Sequence, residues 1–576
     1  MLGSSILLLL FLFIIGIVTS LLIENKKPSF TANSVLEIKL DQRIKDYVPR
    51  NFEQFDDLFD AENQDLGLNR LLDAIKQASR DPKIIGISLQ TNVLNSGLAQ
   101  IKAIRDELKS FKNSGKFLYA YADVYSQKSY YLNSVADSIF VNPMGKVDVK
   151  GLSAEILYFK DIQEKSGIKV EVVKHGAYKS AAEPFLERKM SDKNRLQFTS
   201  FFDSIWSEIV KEISESRSIS VEKLNEIANN LWGRDAILAK KHKLIDNTIY
   251  FDTYQEKLAM AMGIDSVDDY QKIELKNYLK TANFSKHANT ASKDKIAVIY
   301  AQGDIIYGKG NENNIGPALI IGALKSAREN PQTKAIVLRI NSPGGSAFAS
   351  ELILRELKIT SSKLPLVVSM GDYAASGGYY IACASDAIFA QPTTTTGSIG
   401  VFGLLLNLNE IFERIGVNSD RVSTHNGASY SAFKPMSNAY RSVLKEDIEK
   451  VYRTFIENVA TNRAMTLKDV DEISSGKIWS GVQAKKIGLV DELGSLEDAI
   501  KHAAMLASID DYTVWNLPNY KFTLKDKIAT SLFSEVNSSI KLPFIGYDLQ
   551  SILEKITLMT EQNQIQARLP FLFEIQ

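Results

Sequence analysis

The stretch ADVYSQKSYYLNSVADSIFVNP, Ala122–Pro143, decides the fold of this chain because a second version of it occurs later. It aligns without gaps on GDYAASGGYYIACASDAIFAQP, Gly371–Pro392, with two adjacent tyrosines, two aspartates and the final proline at matching positions. In this register Gln127 occupies the position of Ser376, and Gln-Lys-Ser replaces Ser-Gly-Gly. Glycine is favoured where a backbone turns sharply or approaches a ligand closely. The pattern therefore predicts a reactive serine in the second copy only.

The repeat extends on both sides of this stretch. KIIGISLQ, which starts at Lys83, matches KAIVLRIN, which starts at Lys334. HGAYKSAAEP, from His175, matches HNGASYSAFKP, from His425, with one insertion. A spacing of about 250 residues is far longer than the roughly 20–50 residues of solenoid repeats. The pattern indicates a tandem duplication of a whole domain.

Each copy alternates short apolar runs with helical patterns. AIVLRI and LPLVVSM are continuous apolar strands, and ELILRELKIT between them has the spacing of a helix. Such strands are typical of a mostly parallel sheet that is covered by helices on both faces. We therefore predict an α/β fold, and we divide the chain into an N-terminal anchor (1–25), a first copy (34–255), a linker (256–295), a second copy (296–511) and a C-terminal extension (512–576) that has no counterpart in the first copy.

The composition excludes several classes of function. The 68 basic residues balance 68 acidic residues, so no net positive charge points to a nucleic acid partner. A single cysteine, Cys383, rules out an internal disulfide framework and a cysteine-based zinc site. We expect Cys383 to be a buried small side chain, and we predict neither a metal nor a cofactor.

The N-terminus predicts a membrane anchor. Ile6–Ile23 is an uncharged run of 18 apolar and small residues, which is about enough to cross a hydrocarbon core of ~30 Å. No small-residue cleavage site follows it, so we interpret it as a retained single-pass helix rather than a removed signal peptide. Lys26 and Lys27 follow the run, and no basic residues precede it, so the charges leave the orientation undetermined.

Two glycine-rich turns accompany the predicted nucleophile. Ser376 follows a buried strand and opens a helical segment, where the Gly377 N–H would be an unpaired donor. The turn NSPGGS, Asn341–Ser346, follows the preceding strand. Because neighbouring parallel strands end at the same sheet edge, Gly344 or Gly345 can supply a second N–H. Two backbone donors beside a serine are what a tetrahedral intermediate requires, although each turn alone is also consistent with an ordinary tight turn.

The repeat also predicts the base that activates the serine. None of the five histidines lies in a Ser-His-Asp motif, and lysine is the base in a known variant of this chemistry. The first copy has Lys179 where the second has Tyr430, so one copy keeps a lysine and the other keeps Ser376. This reciprocal loss predicts one site shared between the copies. A lysine base must be neutral, which requires a lowered pKa.

NSPGGS, GDYAASGGYY, TTTTGSIGVFG (Thr393–Gly403) and GAYKSAAEPF together resemble the long, duplicated form of the signal peptide peptidase A family, also called protease IV. The resemblance implies a ClpP/crotonase-like fold and a serine endopeptidase with a Ser376–Lys179 dyad. It also implies that Ser398 orients the lysine amine. Without the resemblance, a helix N-cap is the simpler role for Ser398.

The same resemblance implies the setting of the enzyme. Its substrates would be cleaved signal peptides and other apolar peptides. It would assemble as a homotetramer in the bacterial inner (cytoplasmic) membrane, with the catalytic part on the extracytoplasmic side of the lipid bilayer.

Two other classes of function remain open from the residues. The NSPGG turn also occurs in crotonase-like acyl-CoA enzymes, where paired N–H groups hold a thioester enolate. A noncatalytic membrane scaffold is the other alternative. The predicted anchor argues against the first, and the retained Ser376 and Lys179 argue against both.

Overall fold

The computed structural model describes residues 30–49, 65–281, 292–425, 430–520 and 565–569. The predicted anchor (1–25) lies outside the described residues. Within the described ranges, no helix has both the length and the apolar character needed to cross a bilayer.

The chain forms two compact units that do not follow the sequence repeat. The first unit takes the described residues of 1–96, 104–148 and 232–288, and the second takes those of 97–103, 149–231 and 289–576. Residues 149–231, which the repeat assigns to the first copy, thus pack in the same unit as the second copy. Lys179 and Ser376 therefore belong to one unit.

The described elements up to residue 281 belong to both units, because those within residues 149–231 are part of the second unit. The strands are β1 Ser34–Ile38, β2 Ile44–Lys45, β3 Leu66–Gly67, β4 Ile84–Gln90, β5 Phe117–Ala122, β6 Ser138–Val141, β7 Lys169–His175, β8 Asn247–Thr248 and β9 Lys272–Glu274. The helices are α1 Leu68–Arg80, α2 Leu98–Lys112, α3 Gln127–Asn133, α4 Lys160–Ser166, α5 Glu183–Leu186, α6 Asp192–Arg217, α7 Val221–Asn229, α8 Ala236–Lys241, α9 Phe251–Met262 and α10 Leu275–Leu279.

The elements after residue 291 all belong to the second unit. The strands are β10 Lys295–Gln302, β11 Asp304–Ile305, β12 Asn314–Ile315, β13 Thr333–Ser342, β14 Gly344–Ser346, β15 Leu366–Ala375, β16 Ala387–Ala390, β17 Thr395–Gly397, β18 Val401–Asn407, β19 Ile478–Ser480, β20 Glu492–Leu493, β21 Thr513–Leu517 and β22 Gln566–Arg568. The helices are α11 Pro317–Glu329, α12 Ala347–Ser361, α13 Gly377–Ala382, α14 Asn409–Arg414, α15 Asn438–Asn462, α16 Leu467–Ile473, α17 Gly481–Lys486 and α18 Leu496–Leu506.

The main sheets of the two units have the same strand order. The first runs β8-β6-β5-β4-β1-β9, and the second contains β20-β16-β15-β13-β10-β21, with parallel pairing along both series. Almost every residue of β10, β13 and β15 is buried, as expected for strands that are covered on both faces. The predicted α/β fold with parallel sheets and a duplicated region is confirmed.

Matching hydrogen bonds support the register of the repeat. The Tyr130 hydroxyl donates to the Leu244 carbonyl oxygen (2.8 Å). The Tyr379 hydroxyl, at the matching position, donates to the Leu489 carbonyl oxygen (2.9 Å). A buried tyrosine hydroxyl needs a partner. Each copy therefore keeps both the tyrosine and the leucine carbonyl that accepts its hydrogen bond.

The structure corrects two predicted boundaries. The expected linker (256–295) contains β9, which pairs in parallel with β1 at the sheet edge. The expected C-terminal extension (512–576) contains β21, which pairs in the same way with β10. The extension therefore does have a counterpart in the first copy. Edge strands of three to five residues have too little periodicity to be seen in the sequence.

A third sheet brings together the segments that form the site. Its order is β12-β11-β14-β22-β18-β7. Strand β7 pairs antiparallel with β18 along its whole length, from Lys169 opposite Asn407 to His175 opposite Val401. The loop after β7 carries Lys179, so this pairing fixes the position of the lysine within the second unit.

Candidate active site

Ser376 sits on a strained turn between β15 and α13. Its backbone has φ 55° and ψ −115°, a conformation that a residue with a Cβ rarely adopts. The Ser376 N–H donates to the Gly397 carbonyl oxygen (2.8 Å), and the Ser376 carbonyl accepts from the Tyr380 N–H (2.8 Å). These bonds hold the strained conformation and place the serine at the start of α13. A serine on such a strand-to-helix turn has the arrangement of a nucleophile.

Lys179 reaches this serine from the loop that follows β7. Its side chain is completely buried, and its Nζ lies 2.8 Å from Ser376 Oγ. The two residues are 197 positions apart in the chain, and each comes from a different copy of the repeat. The structure thus brings together the two residues that the reciprocal loss had paired.

Ser398 supplies the remaining partners of the lysine amine. Lys179 Nζ lies 3.0 Å from Ser398 Oγ and 3.0 Å from the Ser398 carbonyl oxygen. A neutral amine has two N–H donors and one lone pair. It can donate to both Ser398 oxygens while its lone pair accepts the Ser376 hydroxyl proton, so every hydrogen-bonding group of the neutral form is satisfied.

Burial lowers the pKa of Lys179 well below its usual value. The cause is desolvation, because removal from water disfavours the charged ammonium form. Among the described residues, no carboxylate opposes this shift. The environment therefore favours the neutral amine, which is the form that can accept a proton from Ser376.

Two glycines that the sequence analysis did not single out make room for Lys179. A Cβ on Gly476 would lie 2.5 Å from the Lys179 backbone nitrogen and 2.6 Å from its Cα and Cβ, and Gly476 has φ 85°. A Cβ on Gly400 would lie 3.2 Å from Lys179 Cδ. Both glycines lie next to Lys179 in space but far from it in the sequence, so no local sequence pattern marks them.

The predicted oxyanion glycines lie together at the ends of β13 and β15. The Gly344 N–H donates to Ser342 Oγ (3.2 Å), so Gly345 is the better placed of the two candidates to offer a donor. The Gly377 nitrogen lies 2.8 Å from the position of a Cβ on Gly344. The two turns thus meet beside Ser376, as the common edge of parallel strands requires.

Two histidines and the single cysteine make packing contacts outside the dyad. The His175 ring stacks on Tyr452 with centroids 3.9 Å apart, and the His242 ring stacks on Trp232 at 4.3 Å. Cys383 is buried as predicted, and burial raises the pKa of its thiol to about 12. A thiol of this kind is not a nucleophile at neutral pH.

Comparisons with known proteins match two parts of the chain to one peptidase family. The profile of peptidase family S49 matches residues 110–265 and again residues 358–510, and a Clp protease profile matches residues 287–396. The double match corresponds to the repeat in the sequence.

Relatives of similar length share most of the chain. Protease 4 of Haemophilus influenzae is 33% identical over 90% of this chain and 84% of that protein. Protease 4 of Salmonella typhi is 36% identical over 84% of this chain and 79% of that protein. The chloroplastic serine protease SPPA of Arabidopsis thaliana is 31% identical over 93% of this chain and 77% of that protein.

Proposed function

The chain belongs to peptidase family S49 and is a serine-type peptidase, and we propose that it is a membrane-anchored endopeptidase with a Ser376–Lys179 dyad. Membership in a peptidase family disfavours both the acyl-CoA enzyme and the noncatalytic scaffold. The observation that carries the proposal is the 2.8 Å distance between Lys179 Nζ and Ser376 Oγ in a fully buried site.

Lys179 acts as the general base and then as the general acid. Its neutral amine takes the proton of the Ser376 hydroxyl while Oγ attacks the peptide carbonyl carbon. It then gives that proton to the departing amine, and a water molecule hydrolyses the acyl ester by the same route in reverse order. Ser398 orients the amine through its hydroxyl and carbonyl oxygens, so that the lone pair points at Ser376.

The Gly377 N–H and the Gly345 N–H stabilise the negative oxygen of the tetrahedral intermediate. Both amides are fixed by tight turns before substrate binds, so no reorganisation is needed as charge develops. Loss of one such donor typically costs about 3 kcal/mol of transition-state stabilisation. Gly344 contributes by allowing the close approach of the two turns, since its φ of 101° favours glycine.

The substrates that we propose are cleaved signal peptides and other apolar peptides. The peptide would bind in extended form in the cleft between β14 and β18, and β18 has the apolar sequence VFGLLLN. Main-chain pairing at a sheet edge gives affinity, and side-chain pockets give selectivity. The uncharged run Ile6–Ile23 would anchor the enzyme in the bacterial inner membrane with the catalytic part on the extracytoplasmic side. A homotetramer would limit entry to short or unfolded chains.

The test compares four proteins in cleavage of a fluorogenic apolar peptide: the full chain, Ser376→Ala, Lys179→Met and the control Lys174→Ala. Lys174 lies on β7, five positions before Lys179, but its side chain is exposed. Lys179→Met keeps an apolar side chain of similar length and removes the amine.

We expect both site variants to lose at least about 100-fold in kcat, because a positioned base contributes roughly that much or more. The control should keep the activity of the original chain. Full activity of Lys179→Met would show that the base lies elsewhere. Equal loss in Lys174→Ala would show that the effect is not specific to the dyad.

A further inference from the structure

The cleft between β14 and β18 already holds a peptide strand from the same chain. Strand β22, Gln566–Arg568, pairs antiparallel with β14 on one side, with Ala567 opposite Gly345. It pairs antiparallel with β18 on the other side, with Gln566 opposite Phe402. Extended peptides bind to sheet edges in this way, so this segment shows how a peptide lies in the cleft.

Backbone hydrogen bonds continue the pairing beyond the strand. The Leu569 N–H donates to the Pro343 carbonyl oxygen (2.8 Å), and the Ile565 carbonyl accepts from the Ala347 N–H (3.2 Å). Residues 565–569 are therefore held along five consecutive positions. The register of this bound segment is fixed by main-chain contacts and not by a single side chain.

The Ala567 carbonyl points at the two glycine turns. Its oxygen lies 2.2 Å from the position of a Cβ on Gly344 and 3.0 Å from the position of a Cβ on Gly377. An oxygen at this position lies beside both turns, which carry the proposed oxyanion donors. The corresponding scissile bond is the one between Ala567 and Arg568, so Arg568 occupies the first position of the leaving peptide.

The side chain at that first leaving position makes a charged contact. Arg568 Nη2 donates to Asp304 Oδ2 at 2.8 Å, and the two side chains are only 10% and 21% exposed. Asp304 opens β11, which pairs with β14 through Ile305 opposite Gly345. The carboxylate is thus on the strand next to β14, the strand that carries the oxyanion turn. A charge-assisted bond shielded from water is stronger than an exposed ion pair.

We propose that Asp304 is a specificity-determining residue that selects a basic residue immediately after the cleaved bond. The proposal rests on the proposed function, and it adds a preference to it: a small residue such as alanine before the bond and arginine or lysine after it. The bound segment Ile565–Leu569 is the template for this preference.

The chemistry at the bond follows the dyad mechanism. Ser376 Oγ attacks the carbonyl carbon of the small residue, and Lys179 takes the hydroxyl proton. The carbon–nitrogen bond breaks when Lys179 returns that proton to the amine of the basic residue, and water then hydrolyses the ester to a carboxylic acid. Asp304 holds the basic side chain during these steps and does not exchange a proton.

The experiment uses two quenched fluorescent peptides that differ at one position. Both contain Ile-Gln-Ala-Xaa-Leu-Pro, the sequence of residues 565–570, where Xaa is arginine or citrulline, its uncharged analogue. The enzymes are the full chain, Asp304→Asn and the control Glu329→Gln, whose side chain is exposed at the end of α11. Because the internal segment competes equally with both peptides, the ratio of the two kcat/KM values reports only recognition of the charge.

We expect the full chain and Glu329→Gln to prefer arginine by about tenfold, and Asp304→Asn to cleave both peptides at similar kcat/KM values. Mass spectrometry should find the cut between alanine and Xaa. Equal cleavage of both peptides by the full chain, an unchanged ratio in Asp304→Asn, or a cut at another bond would each overturn the role of Asp304. Cleavage of neither peptide, nor of the apolar peptide above, would overturn the proposed function itself.

Discussion

Gly476→Ala should disable the site by moving Lys179. The new Cβ would lie 2.6 Å from Lys179 Cα and Cβ, so the lysine would have to retreat by about 0.8 Å to reach an ordinary carbon–carbon contact. A misplacement of ~1 Å in an active site can cost about 100-fold in rate. We therefore expect kcat to fall by about 100-fold.

Gly416→Ala is the matched control for this substitution. Gly416 has φ 83°, close to the 85° of Gly476, but a Cβ there would meet no atom within 4 Å. Both variants should lose about 1 kcal/mol in the free energy of unfolding, because alanine is disfavoured at positive φ, and Gly476→Ala should lose more because its Cβ meets Lys179. Only Gly476→Ala should lose activity.

The assay is kcat for a fluorogenic apolar peptide, together with urea unfolding of each variant. If Gly476→Ala were as active as the original chain, the clash with Lys179 would be irrelevant and the positioning argument would be refuted. If Gly416→Ala were as inactive as Gly476→Ala, the loss would reflect backbone strain alone.

Three further predictions follow from single contacts. Ser398→Ala removes one acceptor of the Lys179 amine and should lower kcat by about tenfold; unchanged kcat would exclude an orienting role. Tyr379→Phe removes the hydroxyl bonded to the Leu489 carbonyl and should lower the free energy of unfolding by about 1–2 kcal/mol, as urea unfolding will measure. Cys383 should resist a thiol reagent such as DTNB in the native protein, because it is buried and its thiol pKa is raised to about 12, and it should react fully in guanidinium; rapid native labelling would contradict this.

The sequence predicts the parallel sheets from continuous apolar strands, and it predicts the pairing of Ser376 with Lys179 from the repeat. The two copies align without gaps around Ser376 and with one insertion near Lys179, so a residue lost from one copy stands out against the residue kept in the other. Lys179 lies 197 residues from Ser376, and no local pattern could have linked them. The comparison of the two copies supplied that long-range information.

The contacts made by short strands and by single residues far apart in the sequence could not be predicted. Strand β22 has three residues, which is too short to show alternation, so its pairing with β14 has no signal in the sequence. Gly476 matters only because the Lys179 backbone passes beside it. The assignment of residues 149–231 to the second unit depends on the pairing of β7 with β18, and a pairing register between distant strands is decided by packing rather than by composition.

The most direct test of the dyad is the rate at which a fluorophosphonate probe phosphonylates Ser376 with loss of fluoride, measured against pH in the full chain and in Lys179→Met. Burial lowers the pKa of Lys179, and only the neutral amine accepts a proton. The rate in the full chain should therefore rise with pH and level off through a midpoint below about 10.4, the usual value for lysine. In Lys179→Met the rate should be at least about 100-fold lower at the plateau and should lack this rise. The account would be contradicted if the labelling rate of the full chain did not change with pH. It would also be contradicted if Lys179→Met reacted as fast as the full chain and with the same pH profile.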